Sequence, residues 1–296
     1  MAKKRVSLVL GSGGARGYAH IGVIDVLLKR GYEIASISGA SMGALIGGLY
    51  ACGKLDEYRE WVLGLDALDV AYLLDISFSR GGIIEGEKVF DRLSGMIGDT
   101  NIEDLPIKYT AVSTDIVRKK EVWFQQGNLL EAIRASIAIP SVFTPVTREN
   151  MVLVDGGALN PLPVAPTQSD LTDLIVGVNL YAETPKPNVK TEESEDARKR
   201  DIETAVRNLF AKAKEEKKFT MFDILDKTFD TMQDALTRYR IAGYPPDVMV
   251  NISMHVCSTF DFHKAAEVIE AGRIAAAEVI EDLNSIPSHQ RREHES

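Results

Sequence analysis

Ser38-Gly39-Ala40-Ser41-Met42-Gly43 is the stretch on which the fold turns. An apolar, strand-like run, Ile34-Ala35-Ser36-Ile37-Ser38, leads into it. A run of small and apolar residues, 44–52, follows and reads as a buried helix. Strand, G-x-S-x-G, helix is the context that a nucleophile elbow requires. A serine on a sharp strand-to-helix turn sits in a strained backbone, and only small neighbours avoid collision. Gly39, Ala40 and Gly43 supply that room. The hydroxyl then stands at the end of the sheet, near the positive end of the helix dipole, where developing negative charge is stabilised. Alone, the same letters also describe a glycine-rich turn with a serine helix cap, so two other stretches carry part of the argument.

Upstream, Val6-Ser7-Leu8-Val9-Leu10 has the apolar, β-branched character of a buried parallel strand. Gly11-Ser12-Gly13-Gly14-Ala15-Arg16-Gly17 follows, and 18–30 reads as a helix that Gly31 stops. Such a loop serves either as a phosphate cradle or as an oxyanion hole. A G-x-G-x-x-G match from Gly11 fails at Arg16, and no Gly-Lys-Ser/Thr follows to make a P-loop. The backbone N–H groups of Gly13 and Gly14 can still converge on an anion at a helix N-terminus, an arrangement that an acyl-transfer site needs. Arg16 reads as a structural clamp on a neighbouring loop ahead of a contact to an anionic group.

Downstream, helices are expected over 54–63, 67–74, 86–97 and 127–138, a loop over 77–82, and strands over 107–114 and 121–125. Pro140 and Pro145 punctuate an apolar loop. Met151-Val152-Leu153-Val154 is the next strand, and it ends in Asp155-Gly156-Gly157. A carboxylate at the carboxyl end of a strand lies where α/β sheets place their chemistry, although Asp-Gly is also a common turn. A strand follows at 174–180. The composition then shifts to Pro, Glu, Lys and Asp over 183–200, the signature of an exposed linker. Helical pattern returns over 201–240, Tyr244-Pro245-Pro246 breaks it, and a last strand (248–252) and closing helix (262–283) complete the chain. The organisation expected is a catalytic region at 6–183, a linker, helices, return strand and closing helix packed on the same core at 184–285, and a disordered tail at 286–296.

The 296 residues carry a net charge of −9, which argues against general nucleic-acid binding. Cys52 and Cys257 suggest a reducing compartment without a disulfide framework. No segment approaches the length of a membrane-spanning helix, so a cytoplasmic protein is expected, with peripheral contact to a membrane left open. The segment 207–218, lysine-rich with Leu209 and Phe210, is a weak candidate for such contact because glutamates are interleaved.

The three stretches in this order, with Ala135-Ser136-Ile137-Ala138-Ile139-Pro140 before the aspartate and Asn160-Pro161-Leu162-Pro163 after it, resemble the patatin-like phospholipase family. The likeness spans about 6–180. Its one departure is Ser12, where the family often has the first of three glycines. The resemblance implies a three-layer α/β/α fold with a mainly parallel central sheet. It implies Ser41 as nucleophile, Asp155 as base, and Gly13 and Gly14 as oxyanion donors, with Arg16, Gly17, Gly39, Gly43, Gly156 and Gly157 in support. It also implies lipid ester or phospholipid substrates, with no cofactor and no metal. The residues leave a conventional Ser-Asp-His triad open, with His20, His255 and His263 as candidates. An acyltransferase and a non-catalytic lipid-binding or regulatory module are the alternatives to a hydrolase.

Overall fold

A computed structural model describes residues 3–73, 86–140, 142–187, 189 and 221–285. The expectations for 77–82, 207–218, most of the linker and the tail lie outside them. The framework is an eight-stranded sheet. Strands β1 (Arg5–Leu10), β2 (Glu33–Ala40), β3 (Lys108–Asp115), β7 (Leu174–Ala182) and β8 (Val248–Ser253) run parallel in the order β3-β2-β1-β7-β8. Three antiparallel strands finish the β3 end: β4 (Lys120–Phe124), β5 (Val146–Arg148) and β6 (Met151–Asp155). The sequence pattern does not announce β5, because three residues after a proline are too few to show a period.

β1 has a hydrogen-bonded partner on each edge and is buried from Val6 to Leu10, which fits its largely apolar run. Val6, Leu8 and Leu10 enter the main core, while Val9 faces a small cluster with Leu162 and Val164 on the other side. Helices α1 (Ala19–Lys29), α2 (Met42–Ala51), α3 (Leu55–Leu63), α5 (Glu87–Ile97) and α6 (Leu129–Ser136) form a linked layer over the main core. The closing helix α8 (Ala265–Ser285) lies along α1 in that layer. The two come close because a Cβ on Gly22 would sit 2.0 Å from the Ile269 carbonyl oxygen, and one on Gly272 would sit 2.1 Å from that of Ala19. Among the described residues, the opposite face is covered by 3-10 turns at Gly156–Ala158 and Ala165–Thr167 and by α7 (Met221–Gly243). A shorter helix, α4 (Ala67–Leu73), packs beside Phe262–Lys264. Helices therefore flank the sheet on both sides, as expected.

The register places the site. β3 pairs with β2 through residues 108–112, where Ala40 lies opposite Val112. From Ser113 onward β6 takes up β3, with Asp155 opposite Ser113. β4 occupies the other edge of the same residues. β6 thus ends where β2 leaves off, and its last residue, Asp155, lies next to the turn that follows Ala40.

Candidate active site

Ser41 stands between β2 and α2 with φ 56° and ψ −127°, a positive φ that a non-glycine residue adopts only under constraint. The turn is tight enough to exclude side chains on both flanks. A Cβ on Gly39 would come within 2.4 Å of the Gly43 carbonyl, and one on Gly43 within 2.0 Å of the Leu10 oxygen. Gly17 yields its space to Met42, 2.3 Å from where its Cβ would be. The Ser136 hydroxyl ties the turn down, accepting from Ser41 N at 3.0 Å and donating to the Val112 oxygen at 2.5 Å. Ser41 is 1% exposed.

Asp155 is wholly buried. Its N–H donates to Ala138 O at 2.9 Å, and its Oδ1 accepts from Gly157 N at 2.7 Å. Burial pushes its pKa up to about 7 against smaller, opposing effects of the Ser41 hydroxyl and the Gly157 N–H. The Ser41 hydroxyl thus lowers the Asp155 pKa as a hydrogen-bonding neighbour, while Oδ2 makes no hydrogen bond of ordinary geometry. Glycine is required after Asp155, since a Cβ on Gly156 would lie 2.1 Å from Val112 O and one on Gly157 2.5 Å from Ser12 Oγ.

The glycine loop closes into a 3-10 turn, Gly14–Tyr18, so the helix expected from residue 18 begins after that turn. Long-range carbonyls hold its flanks: Ser12 N donates to Pro161 O at 2.8 Å and Ala15 N to Thr259 O at 2.8 Å. Between them, the N–H groups of Gly13 and Gly14 have no backbone partner among the described residues. Arg16, 2% exposed, donates from Nε to Gly13 O at 3.2 Å, stacks over Tyr181 with 4.7 Å to the ring centroid, and pairs with Asp230 of α7.

Ser41 borders two spaces of different character. One is an apolar chamber of about 70 Å³, with Tyr18, Met42, Leu45, Trp61, Val89 and Phe143 among its walls. The other is a polar crevice of about 20 Å³, which Ser41 shares with Ser12, Gly14, Asp155, Tyr181, Asp230 and Gln233. No histidine lines the crevice among the described residues. His20 is fully buried; its Nε2 donates to Gly11 O at 2.8 Å, and burial lowers its pKa to about 4. It remains neutral and braces the start of the glycine loop. His255 and His263 are exposed.

Ser136, Asp230 and Gln233 reach the site without having been singled out in the sequence. Ser136 had a local signal in Ala135-Ser136-Ile137-Ala138. Asp230 meets Arg16 from 214 positions away, which no local pattern reports.

The patatin-like phospholipase family profile matches residues 8–167, and thus covers the end of β1, both glycine-rich turns and the aspartate strand. The chain belongs to the patatin-like phospholipase family. An uncharacterized NTE family protein of Mycobacterium bovis is 39% identical over 329 residues, covering 94% of this chain and 91% of the relative. Lysophospholipase nte1 of Emericella nidulans is 30% identical over 192 residues, covering 60% of this chain and 12% of the relative. Among solved structures, VipD from Legionella pneumophila shares the fold, with a TM-score of 0.54 at 15% identity over 95% of this chain and 67% of that one. The region matched by the family profile ends before α7, so Asp230 and Gln233 enter the site from outside it. No helix among the described residues is long and apolar enough to cross a membrane.

Proposed function

We propose that this protein is a serine acyl hydrolase of lipid esters, with Ser41 as nucleophile and Asp155 as its base. The observation that carries the reading is the position of Ser41, on a strained turn between an apolar chamber and a crevice holding a buried carboxylate. The apolar walls of the chamber suit an acyl chain, and the crevice has room for the attacking water. The Ser41 oxygen attacks the ester carbonyl and gives its proton to Asp155. The N–H groups of Gly13 and Gly14 stabilise the resulting oxyanion. Collapse expels the alcohol, which takes the proton from Asp155 and leaves an acyl-Ser41 ester. Water then gives Asp155 a proton as it adds to that ester, and collapse returns the proton to Ser41 and frees the fatty acid. A carboxylate of ordinary pKa is a poor base at neutral pH, and the burial of Asp155 corrects this.

The family membership and the lysophospholipase among the relatives support a phospholipid or lysophospholipid substrate. Exposed Ile224, Leu225 and Met232 on α7, near an apolar groove with Ile139 and Val142, support contact with a lipid surface. The test is hydrolysis of an aryl ester and of defined lipids by the parent protein, Ser41→Ala, Asp155→Ala and His255→Ala. Activity is expected to vanish in the first two and persist in the third. Undiminished hydrolysis by folded Ser41→Ala, or its loss in His255→Ala, would contradict the dyad. Product analysis with an alcohol acceptor separates hydrolysis from acyl transfer.

A further inference from the structure

The proposed oxyanion loop is held by a residue of α7, outside the region matched by the family profile. The peptide joining Gly13 to Gly14 carries the Gly13 carbonyl on one side and the Gly14 N–H on the other, because a trans peptide is planar and its C=O and N–H point in opposite directions. Arg16 Nε donates to the Gly13 carbonyl at 3.2 Å. Fixing that oxygen therefore fixes the direction of the Gly14 N–H, and Gly14 lines the crevice with Ser41. The next peptide is pinned separately, by Ala15 N donating to Thr259 O at 2.8 Å.

Arg16 has its own orientation set from two places. Its guanidinium lies over the Tyr181 ring, and Asp230 pairs with its Nη2. The Tyr181 hydroxyl donates to Gln233 Oε1 at 2.6 Å, so the ring is tied to α7 one helical turn beyond Asp230. A cation 2% exposed needs such a partner, and α7 supplies the carboxylate.

We infer that Asp230 is a positioning residue for the acyl-transfer reaction: acting through Arg16, it aims the Gly14 N–H at the oxyanion. This rests on the acyl-hydrolase reading. Losing one oxyanion donor costs about 10²–10³-fold in kcat, and misaiming one costs less, about 10–100-fold.

The experiment compares full-length parent, Asp230→Asn, Asp230→Glu, Arg16→Lys and the double variant Arg16→Lys/Asp230→Asn. Each is assayed for kcat and KM on an aryl ester, for Tm, and for the rate of Ser41 labelling by a fluorophosphonate. Asp230→Asn is expected to lower kcat and labelling by about 10–100-fold with KM changed less than about threefold. Asp230→Glu should recover part of that loss, and the double variant should be little worse than the poorer single one. Folded Asp230→Asn with kcat within about twofold of the parent, a loss confined to KM, or fully additive effects would each overturn the inference. If Asp230→Asn does not fold, Arg16→Lys decides, because lysine keeps the charge pair but lacks the Nε donor. Unchanged kcat in folded Arg16→Lys overturns the inference, and a drop at constant KM supports it. A parent that neither hydrolyses the ester nor labels overturns the acyl-hydrolase reading as well, whereas an active parent with unaffected variants overturns the inference alone.

Discussion

The β3–β6 ladder ends in an aspartate on each strand, and their surroundings make them opposites. Asp115, opposite Leu153, and Asp155, opposite Ser113, are both buried. Burial would raise the pKa of Asp115, but the Val117 and Arg118 amides and the Arg118 guanidinium, 3.1 Å from Oδ2, outweigh it and hold the pKa below the usual carboxylate range. Among the described residues Asp155 has the Gly157 N–H and the Ser41 hydroxyl beside it and no cation, and burial takes its pKa up to about 7. After Asp115 the chain turns outward through exposed Ile116 and Val117 to a salt bridge. After Asp155, two glycines carry the chain into a buried 3-10 turn beneath α7. One sheet thus holds a carboxylate fixed in its charged form and another poised to change form, and only the second adjoins Ser41.

The largest effects should come from the dyad. Ser41→Ala is expected to lose at least about 10⁴-fold in ester hydrolysis at an unchanged fold, read by kcat and circular dichroism. Asp155→Asn should lose about 10³–10⁴-fold, while its stability moves the other way. The folded pKa of Asp155 is raised, so its stabilising contribution is complete below about pH 4 and is lost as pH rises through about 7. Removing the titration should therefore raise Tm relative to the parent most at pH 9, less at pH 5, and not at all below about pH 4. Equal shifts at both pH values would contradict a raised pKa.

Gly156→Ala probes the same end of the ladder, since the added methyl meets Val112 O at 2.1 Å. A loss of about 2–3 kcal/mol in urea unfolding is expected. The corresponding step at the other end, Ile116→Ala, should fall within about 0.5 kcal/mol of the parent, because Ile116 is half exposed.

The smallest effect on activity belongs to Asp115→Asn, with kcat within about twofold. Its stability signature should mirror that of Asp155. A depressed folded pKa contributes stability above the unfolded value near 4, which is lost as pH falls through the lower folded pKa. The variant should thus have a lower Tm than the parent at pH 7, with the gap closing toward pH 3. A gap that widens on acidification would show that the two aspartates are not opposites.

The same contrast shows what the sequence could say. Gly39, Gly43, Gly156 and the glycine loop were readable because tight backbone approaches leave only glycine, a constraint written at the position itself. The parallel strands were readable from apolar runs that need cover on both faces. A side chain that acts through a distant partner leaves no such mark. Asp230 lies in α7 among Asp226 and Asp234, and helical pattern does not distinguish the one that meets Arg16. The opposite charge states of Asp115 and Asp155 were equally hidden, because they depend on which amides and cations converge after folding. The Asp-Gly-Gly stretch alone remained compatible with an ordinary turn.

The account stands most directly on the pH dependence of Ser41 acylation. Labelling of the parent by a fluorophosphonate, followed by mass spectrometry from pH 5 to 9, should rise with a single ionisation near pH 7 and fall to background in Asp155→Asn. A rate independent of pH over that range, or an Asp155→Asn protein that labels as fast as the parent, would contradict Asp155 as the base.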